Sequence, residues 1–320
     1  MKTVILTHAD CDGMCAGAVA KARFPDAEIF FTKPVSFLHD LKEQKDFDRI
    51  IICDIALTKK HAKDIIKMLN KRAARAEVLY FDHHQLPEGI TDKDLKIKLY
   101  AHQLNVSASE IIYRNYMKDI PRERVWVALY GAIGDYEDDT PFAIERIANW
   151  DKRALYFEVS TLILGIKNRE FDTYDAKRHI IETLAMGGNP SDVKGLVKSA
   201  KMAVTREFEF YDYVKKNAVK KGNIGVIMSL PQFGFRGPAA LFSATVTDSP
   251  IGMCIYDREW HIDITVRKRK CDIPLNKMME KAAEKVGGSG GGHPEAAGAR
   301  IPAGELNRFL RDVNMILEKN

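Results

Sequence analysis

The chain has 320 residues, of which 46% are hydrophobic, so it is long enough for two globular domains. A formal net charge of only +5 favours anionic partners weakly and does not by itself identify nucleic acid. The five cysteines are odd in number and contain no CxxC pair, which argues against a disulfide framework and a thiolate zinc site. No apolar run approaches the roughly 18 residues of a spanning helix. We therefore predict a cytoplasmic protein with no membrane partner.

Short apolar runs alternate with helical patterns in the first eighty residues. The β-branched and apolar runs predict four strands, at Thr3–Thr7, 27–31, Arg49–Cys53 and 77–81. Helical patterns separate them, beginning at Gly13 and covering 59–71. Strands that alternate with helices in this way predict a doubly wound parallel sheet.

Polar residues follow these strands directly. Open parallel sheets bind ligands beyond the carboxyl ends of their strands, so these positions are the first candidates for a functional site. They hold the segments HADCDG, Asp54 and DHH. From Ser107 to about His179 the pattern is mostly helical, and the acidic stretch GAIGDYEDDTP interrupts it as a fourth candidate segment.

The second half of the chain predicts a smaller α/β domain. The turn sequence GGNPS precedes a long charged helical pattern that ends near Gly222. Further apolar runs and helical patterns lead to the glycine-rich GGSGGGHPEAAG. We place a first domain at 1–190, a linker helix at 191–221 and a second domain at 222–320.

His8, Asp10 and Asp12 are spaced at i, i+2 and i+4. In an extended segment their side chains would project to one side, where they could grip a metal ion. Carboxylate oxygen with some imidazole is a ligand set that Mn²⁺ and Mg²⁺ accept. The alternative interpretation is a turn with aspartates that cap a helix.

Asp54 follows the apolar run RIIIC, where an unpaired buried carboxylate would be costly unless a cation or a donor compensates it. The alternative is an Asp that begins the next helix. Asp82, His83 and His84 are three adjacent, chemically capable groups at the end of a strand, although a lone histidine is more often structural.

The acidic stretch supplies a fourth candidate ligand. We choose Asp135, with Asp139 as a substitute, and read Glu137 and Asp138 as parts of a solvated acidic loop. Four such segments at strand or helix ends together favour a metal centre over four unrelated structural explanations.

Taken in order, these motifs resemble a known family. THADCDG, Asp54, FDHH and GAIGD are similar to the four motifs of the DHH phosphoesterase superfamily, and GGGHPEAAG is similar to its DHHA1 substrate-binding domain. Archaeal RecJ-like nucleases and oligonucleotide phosphodiesterases belong to it. Inorganic pyrophosphatases share only the first domain, so GGGH counts against them. The resemblance implies a DHH domain joined by a helical linker to a DHHA1 domain, with the active site in the cleft between them.

The resemblance also implies two divalent metal ions, Mn²⁺ first and Mg²⁺ as the alternative. Asp10 and Asp54 would help to hold one ion, while Asp12, Asp54, His83 and Asp135 would hold the other. Asp54 would therefore bridge the two. Such a pair of ions supports in-line hydrolysis of a phosphodiester.

The family pattern has different implications for His8 and His84. His8 is a departure, because several relatives place a metal-binding histidine four residues before the first Asp of the pair and the interval here is two. His84 would lie near the scissile phosphate as a hydrogen-bond donor or general acid. Ser107 and Ser109 offer no better nucleophile because neither has a flanking base pattern, and the carboxylates near Cys11 and Cys15 would raise the pKa of those thiols.

In the second domain, Gly290, Gly291 and Gly292 would let backbone N–H groups approach a phosphate, and a helix after His293 would add its positive end. Arg267, at the end of a predicted strand, is a second phosphate contact by resemblance to the DHHA1 family.

FGFRGP supplies further candidates for contact with the substrate. Arg236 would face the cleft, and Phe233 and Phe235 would stack a base. Aromatic residues near glycine and proline also serve as packing, and this alternative stays open.

The function predicted from the sequence is a metal-dependent phosphodiesterase that acts as a single-strand-specific 3′→5′ exonuclease on DNA, with RNA left open. One alternative is a phosphodiesterase for very short oligoribonucleotides or cyclic dinucleotides. A second is a scaffold in a replication or repair complex. Single-stranded nucleic acid is the predicted partner, and a helicase or replication protein and a homo-oligomer are left open.

Overall fold

The computed structural model describes residues 1–228, 230 and 235–319, so Phe233 lies outside the described residues. The chain divides into two compact units, Met1–Ala203 and Val204–Asn320. Within the described part of the chain, every helix is too short or too polar to cross a membrane.

A five-stranded parallel sheet forms the centre of the first unit, as predicted. Its strands are β1 (Thr3–Thr7), β2 (Glu28–Phe31), β3 (Arg49–Cys53), β4 (Glu77–Asp82) and β5 (Leu99–His102). The spatial order is β2-β1-β3-β4-β5. Strand β5 was not predicted, because its four residues are half-buried and of mixed polarity.

Helices cover both faces of this sheet. They are α1 (Cys11–Arg23), α2 (Phe37–Glu43), α3 (Ala62–Arg72), α4 (Ala108–Tyr116), α5 (Val125–Gly134), α6 (Pro141–Ile147), α7 (Lys152–Gly165) and α8 (Tyr174–Met186). Ile5 and Ile51 pack with α1, α4, α5, α7 and α8, while Leu6 and Ile52 pack with α2 and α3. Because both sides of each central strand are buried, these strands appear in sequence as unbroken apolar runs. The doubly wound arrangement is therefore confirmed.

The topology fixes the place of the candidate site. β1 lies between β2 and β3, so the chain reverses its direction of travel across the sheet at β1. In an open parallel sheet the loops on either side of such a reversal diverge and leave a crevice at the carboxyl ends. The segments that follow β1 and β3 contain Asp10, Asp12 and Asp54.

Helix α9 (Leu196–Asn217) continues from the first unit into the second. It is shorter than the helical pattern of the sequence, because a 3₁₀ turn at Pro190–Asp192 precedes it and strand β6 (Val219–Lys221) follows it.

The second unit contains a mixed sheet of six strands. The others are β7 (Ile224–Met228), β8 (Ile251–Arg258), β9 (His261–Lys268), β10 (Ser289–Gly292) and β11 (Ala296–Pro302), in the order β10-β11-β9-β8-β7-β6. Only the β7–β8 pair is parallel among the pairs of this sheet in the described residues. Helix α10 (Arg236–Val246) packs on one face, and α11 (Leu275–Glu284) and α12 (Leu306–Leu317) pack on the other.

One prediction for this unit was wrong: the segment after His293 is strand β11 and not a helix. Its alanines suggest a helix by composition, but Ala297, Ala299 and Ile301 are buried in alternation. That period of two matches a strand with one face on α11 and α12. The positive end of a helix is therefore not part of the GGGH segment.

Candidate metal centre

Asp10 and His8 lie together at the carboxyl end of β1. Nδ1 of His8 is 2.7 Å from Oδ2 of Asp10, and Oδ1 of Asp10 accepts a hydrogen bond from the N–H of Gly13 as the N-cap of α1. Asp10 thus caps a helix and also presents an oxygen to the site. The expected extended spacing was wrong for Asp12, which lies in the first turn of α1.

Asp12 is 1% exposed and is fixed by the start of another helix. The N–H groups of Ala108 and Ser109, in the first turn of α4, donate to its two carboxylate oxygens at 2.6 and 3.1 Å. Backbone donors at a helix N-terminus favour a negative group, so α4 holds the Asp12 carboxylate in one orientation.

Asp54 occupies the centre of the cluster. Its φ of 57° lies in the left-handed region, and its N–H donates to the carbonyl of Phe81 at 2.9 Å. Its Oδ1 is 3.2 Å from Nε2 of His83, and its Oδ2 is 3.7 Å from Nδ1 of His8. The two oxygens therefore face two different histidines. Asp54 is not a helix cap, because α3 begins only at Ala62.

His83 brings the remaining ligand candidates together. Its Nε2 is 3.4 Å from Oδ2 of Asp135 and 3.9 Å from Oδ2 of Asp12. Asp135 follows α5 directly as its C-cap residue. Asp139 is exposed and belongs to none of the close acidic and histidine groups found among the described residues.

Asp82 belongs to the site, although roles were predicted from the sequence only for its neighbours His83 and His84. It is 1% exposed, and its Oδ1 is 2.8 Å from Nδ1 of His84. Its Oδ2 is buried and has no hydrogen-bond partner in the described part of the chain. The only sequence signal was the position of Asp82 at the end of an apolar strand, immediately before two histidines.

The electrostatics show how crowded the carboxylates are. Burial, followed by the charge of Asp54, raises the pKa of Asp12 to about 7. Burial and the charges of Asp12 and Asp54 raise the pKa of Asp135 to about 8. Burial alone would raise the pKa of Asp54 as well, but hydrogen bonds from His8 and His83 outweigh it and hold that pKa well below its usual value.

Burial has the opposite effect on the pKa values of the histidines. Burial alone would lower the pKa of His8 and His83, but the surrounding carboxylates outweigh it and raise these values to about 10 and about 11. The pKa of His84 rises to about 8 against the same burial effect, chiefly through Asp82. Positive charge is therefore strongly favoured between these carboxylates.

The donor set fits divalent cations. Within the first unit, three groups have ligand atoms that lie within 4.8 Å of one another: His8, Asp10 and Asp54; Asp12, His83 and Asp135; and Asp54, Asp82 and His84. Asp54 belongs to two of them. Carboxylate oxygens with one imidazole per group are ligands that Mn²⁺ and Mg²⁺ accept, and the partnerless Oδ2 of Asp82 adds a buried acceptor.

We expect Mn²⁺ to stabilise the first unit. At a hundred times its Kd, a ligand that binds only the folded state contributes about 2.7 kcal/mol, which corresponds to a Tm rise of about 5–10 °C for a unit of this size. Thermal unfolding with and without Mn²⁺ measures the shift. Asp135→Asn should reduce it, and Asp139→Asn, a change on the same loop outside the groups, should not. The reverse pattern would show that the ligand in this segment is Asp139.

The predicted phosphate-binding glycines lie on the edge strand β10, in the second unit. A Cβ at Gly290 would collide with the carbonyl of Met279 on α11, whereas one at Gly291 would meet nothing within 4 Å. Gly291 pairs with Gly298, on the sheet face opposite to α11. Gly292 has a φ of 125°, which side chains rarely adopt. Of the three glycines, only Gly291 therefore combines an open face with ordinary backbone geometry.

The two predicted arginines are both near the start of α10. Arg267 is on β9, and its guanidinium lies against Gly237 in the first turn of α10. A Cβ added to Gly237 would be 2.8 Å from Nη2 of Arg267. The guanidinium of Arg236 lies 4.6 Å from the ring centroid of Tyr256, and its Nη1 is 3.8 Å from Oδ2 of Asp263.

The base-stacking prediction for Phe235 was wrong. Its ring is 3% exposed and stacks on Phe210 with 4.7 Å between centroids. Phe235 is thus part of the core, as the packing alternative proposed.

Comparisons with known proteins agree with this geometry. The family model described as the DHH family, N-terminal domain, matches residues 2–133, and the model of the DHHA1 domain matches residues 210–319. No curated protein sequence matches the chain.

Three solved structures illustrate the similarity. A DHH-domain protein described as a member of a family of ribosomal proteins is 15% identical, with a TM-score of 0.70 over 98% of this chain and 85% of that chain. A pGpG-specific phosphodiesterase from Vibrio cholerae is 14% identical, with a TM-score of 0.59 over 100% and 99%. RecJ from Thermus thermophilus in complex with Mn²⁺ is 16% identical, with a TM-score of 0.65 over 100% and 52%. At these identities the likeness shows the fold.

A parallel sheet with an acidic and histidine-rich centre at its reversal point, followed by a mixed sheet with a GGGH segment, defines a phosphoester hydrolase. The two matched models follow each other along most of the chain, and the chain belongs to the DHH/DHHA1 phosphoesterase superfamily.

Proposed function

We propose that this protein is a metal-dependent phosphodiesterase that removes nucleotides from the 3′ end of single-stranded DNA. The observation that carries the proposal is the arrangement of Asp54, whose two oxygens face His8 and His83 in two adjacent ligand groups. A carboxylate in this position suits a pair of cations better than a single one. The superfamily is a family of phosphoesterases, and the similar RecJ is described with Mn²⁺.

The residues assigned to the cations follow from two of the three groups, with Asp54 added to the second because its Oδ1 is 3.2 Å from Nε2 of His83. His8, Asp10 and Asp54 would hold one ion, and Asp12, Asp54, His83 and Asp135 the other. When bound, such ions activate water at neutral pH and stabilise negative charge on the phosphate oxygens. The helix N-terminus at Ala108 and Ser109 keeps the Asp12 carboxylate aimed at its group.

His84 is assigned to the leaving oxygen of the substrate. Asp82 accepts a hydrogen bond from Nδ1 at 2.8 Å and holds the ring in one orientation, and Nε2 would donate to substrate from the protonated ring, which the raised pKa of about 8 favours. Asp82 is therefore a positioning residue that acts through His84.

The second unit supplies the proposed contacts to substrate phosphates. Arg267 and Arg236 would contribute charge, and Gly291 and His293 would contribute the end of β10 and the following turn. Gly290 and Gly292 have structural reasons to be glycine, so their role in binding would be indirect.

We expect Gly291→Ala to raise KM for a single-stranded substrate by about tenfold, the effect of losing about 1.4 kcal/mol of binding, without changing Tm. Its added methyl group enters open space where the substrate would approach. Gly290→Ala is the matched comparison and should lower stability by about 1–3 kcal/mol, because it overpacks against α11. Steady-state kinetics and thermal unfolding separate the two effects. An unchanged KM in Gly291→Ala would remove this strand face from the substrate site.

A second candidate is a phosphodiesterase for very short oligonucleotides. The pGpG-specific enzyme matches this chain over nearly the full length of both, whereas the match with RecJ from Thermus thermophilus covers 52% of that chain and the match with another RecJ covers 90%. Every proposed ligand position carries a metal-binding side chain, so a scaffold without activity is not proposed.

The test is hydrolysis of end-labelled DNA and RNA, as 20-mers and as dinucleotides, with Mn²⁺, Mg²⁺ or EDTA. Stepwise loss of mononucleotides from the 3′ end of the 20-mers, abolished by EDTA, is the expected result. Activity confined to dinucleotides would favour the second candidate. Cleavage of a circular single strand would contradict exonuclease action, and no hydrolysis of any substrate with either metal would contradict the proposed function.

A further inference from the structure

A cleft of about 650 Å³ lies in the first unit. The loop after β5, helix α4 and the start of α6 form its walls. The proposed chemistry does not use it, and of the sequence motifs only the end of GAIGDYEDDTP, residues 139–141, contributes to its lining. Its lining includes Gln103, Asn105, Glu110, Arg114, Phe142 and Arg146.

Hydrogen bonds connect this cleft to the proposed ligand segments. The N–H of Gln103 donates to the carbonyl of Asp82 at 3.3 Å, immediately before His83 and His84. On the other side, Glu110 follows Ser109, whose N–H donates to Asp12. The cleft is therefore adjacent to both the DHH segment and the helix start that fixes Asp12.

The polar groups of the cleft are held in place. Thr140 donates from its hydroxyl to Glu110 at 2.7 Å, and Nη1 of Arg114 donates to Glu110 at 3.3 Å and to Gln103 at 3.4 Å. Glu110 is completely buried, and Asn105 has a φ of 59°. Carboxylate, amide and guanidinium groups together offer both donors and acceptors to a ligand.

A flat surface lies beside these groups. The guanidinium carbon of Arg146 is 3.8 Å from the ring centroid of Phe142, so the cation covers one face of the ring. Guanidinium planes and aromatic rings are surfaces on which nucleobases stack in single-stranded nucleic acids.

The charged groups of the lining indicate which class of ligand the cleft would bind. The lining contains two guanidinium groups, of Arg114 and Arg146, and three carboxylates, of Glu110, Asp139 and Glu145. Because Glu110 is completely buried and paired with Thr140 and Arg114, the accessible lining has no excess of positive charge that would favour a phosphate. An uncharged planar ring with its own donors and acceptors matches both the charge and the hydrogen-bonding groups.

We propose that this cleft is the binding site for a nucleobase of the substrate, next to the phosphate at the metal centre. The inference rests on the proposed phosphodiesterase function and names the part of the nucleotide that the first unit recognises.

The test compares ligands with and without a base. Calorimetry with the full chain and Mn²⁺ measures the affinity for AMP and for ribose 5-phosphate. The variant is Gln103→Ala with Asn105→Gly, because both side chains are exposed and glycine accepts the backbone at position 105 without strain. Asn115→Ala, an exposed change on α4 outside the cleft lining, is the matched control.

We expect the wild type and Asn115→Ala to bind AMP at least about tenfold more tightly than ribose 5-phosphate, and we expect the double variant to lose this difference. The variant should still hydrolyse bis(p-nitrophenyl) phosphate, a substrate without a base, at the wild-type rate. Equal affinities in the wild type, or an undiminished difference in the double variant, would overturn the proposal.

The two proposals can fail separately. If the wild type does not hydrolyse bis(p-nitrophenyl) phosphate or any nucleotide substrate, the proposed function is wrong whatever the calorimetry shows. If hydrolysis is present and AMP has no advantage over ribose 5-phosphate, only the base site is wrong.

Discussion

Asp54→Asn is expected to lower kcat for phosphodiester hydrolysis by about a thousandfold and to abolish tight Mn²⁺ binding, while the protein stays folded. The proposed role of Asp54 in both ligand groups accounts for the size of the effect. Stabilisation of the transition state by metal ions amounts to several kcal/mol, and about 4 kcal/mol corresponds to a thousandfold. Activity assays and calorimetry with Mn²⁺ measure the two losses.

Asparagine is the suitable replacement for a physical reason. Asp54 has a φ of 57°, and asparagine tolerates this left-handed region far better than alanine does. The N–H that donates to Phe81 is retained, so the connection to β4 is preserved. The change removes the negative charge that faces His8 and His83 and leaves the shape almost unaltered.

The chain offers a matched control for this substitution. Asp248 also has a positive φ, of 45°, and pairs with Arg269 on the surface of the second unit. Asp248→Asn should leave hydrolysis and Mn²⁺ affinity unchanged. If Asp54→Asn kept more than about a tenth of the wild-type kcat, the proposed bridging role would be wrong, because a lost ligand shared by two ions costs far more than that.

Gly131→Ala is expected to produce the second-largest effect, a fall in Mn²⁺ affinity of about a hundredfold. Gly131 lies on α5 where that helix meets α1 and α4, and an added Cβ would collide with Oδ1 of Asp12 and Oγ of Ser109. Displacing the groups that orient a ligand typically costs about 10–100-fold in metal affinity, and here the ligand itself is displaced. Overpacking also costs about 1–3 kcal/mol of stability.

Two further variants separate the effect of Gly131→Ala on Mn²⁺ affinity from its effect on protein stability. Gly17→Ala introduces the same methyl group into α1, where its nearest neighbour, Cγ2 of Thr7, is 3.1 Å away. This control should bind Mn²⁺ normally. Adding Ser109→Ala to Gly131→Ala removes the collision with Oγ, although those with Oδ1 of Asp12 and with the Cβ of residue 109 stay, and should restore part of the stability. Normal Mn²⁺ affinity in Gly131→Ala would show that Asp12 is not a ligand.

The first four strands of the first unit could be predicted well because each is short, apolar and followed by polar residues. Thr3–Thr7 and Arg49–Cys53 coincide with β1 and β3. β11 could not be predicted in the same way, because alanine and glycine carry little information on burial, and the alternation becomes apparent only when α11 and α12 cover one face.

Sequence order alone also concealed what each motif residue contacts. Asp10 and Asp12 were expected to share one extended face, yet they reach the site from a helix cap and from inside a helix turn. Gly290 and Gly291 are neighbours in a glycine run, but one packs against α11 and the other faces open space. The difference arises because adjacent residues of a strand point to opposite faces.

The sequence by itself determined the parallel sheet and the order of its polar segments, because buried parallel strands leave an unbroken apolar pattern and place their carboxyl ends at one edge. It also carried the motifs of the superfamily. Only the tertiary structure decided that Ala108 and Ser109 hold Asp12, that Asp82 orients His84 and that a cleft adjoins both. The first and last of these depend on residues far apart in the chain, and all three depend on side-chain direction, which no local pattern of hydrophobicity or propensity specifies.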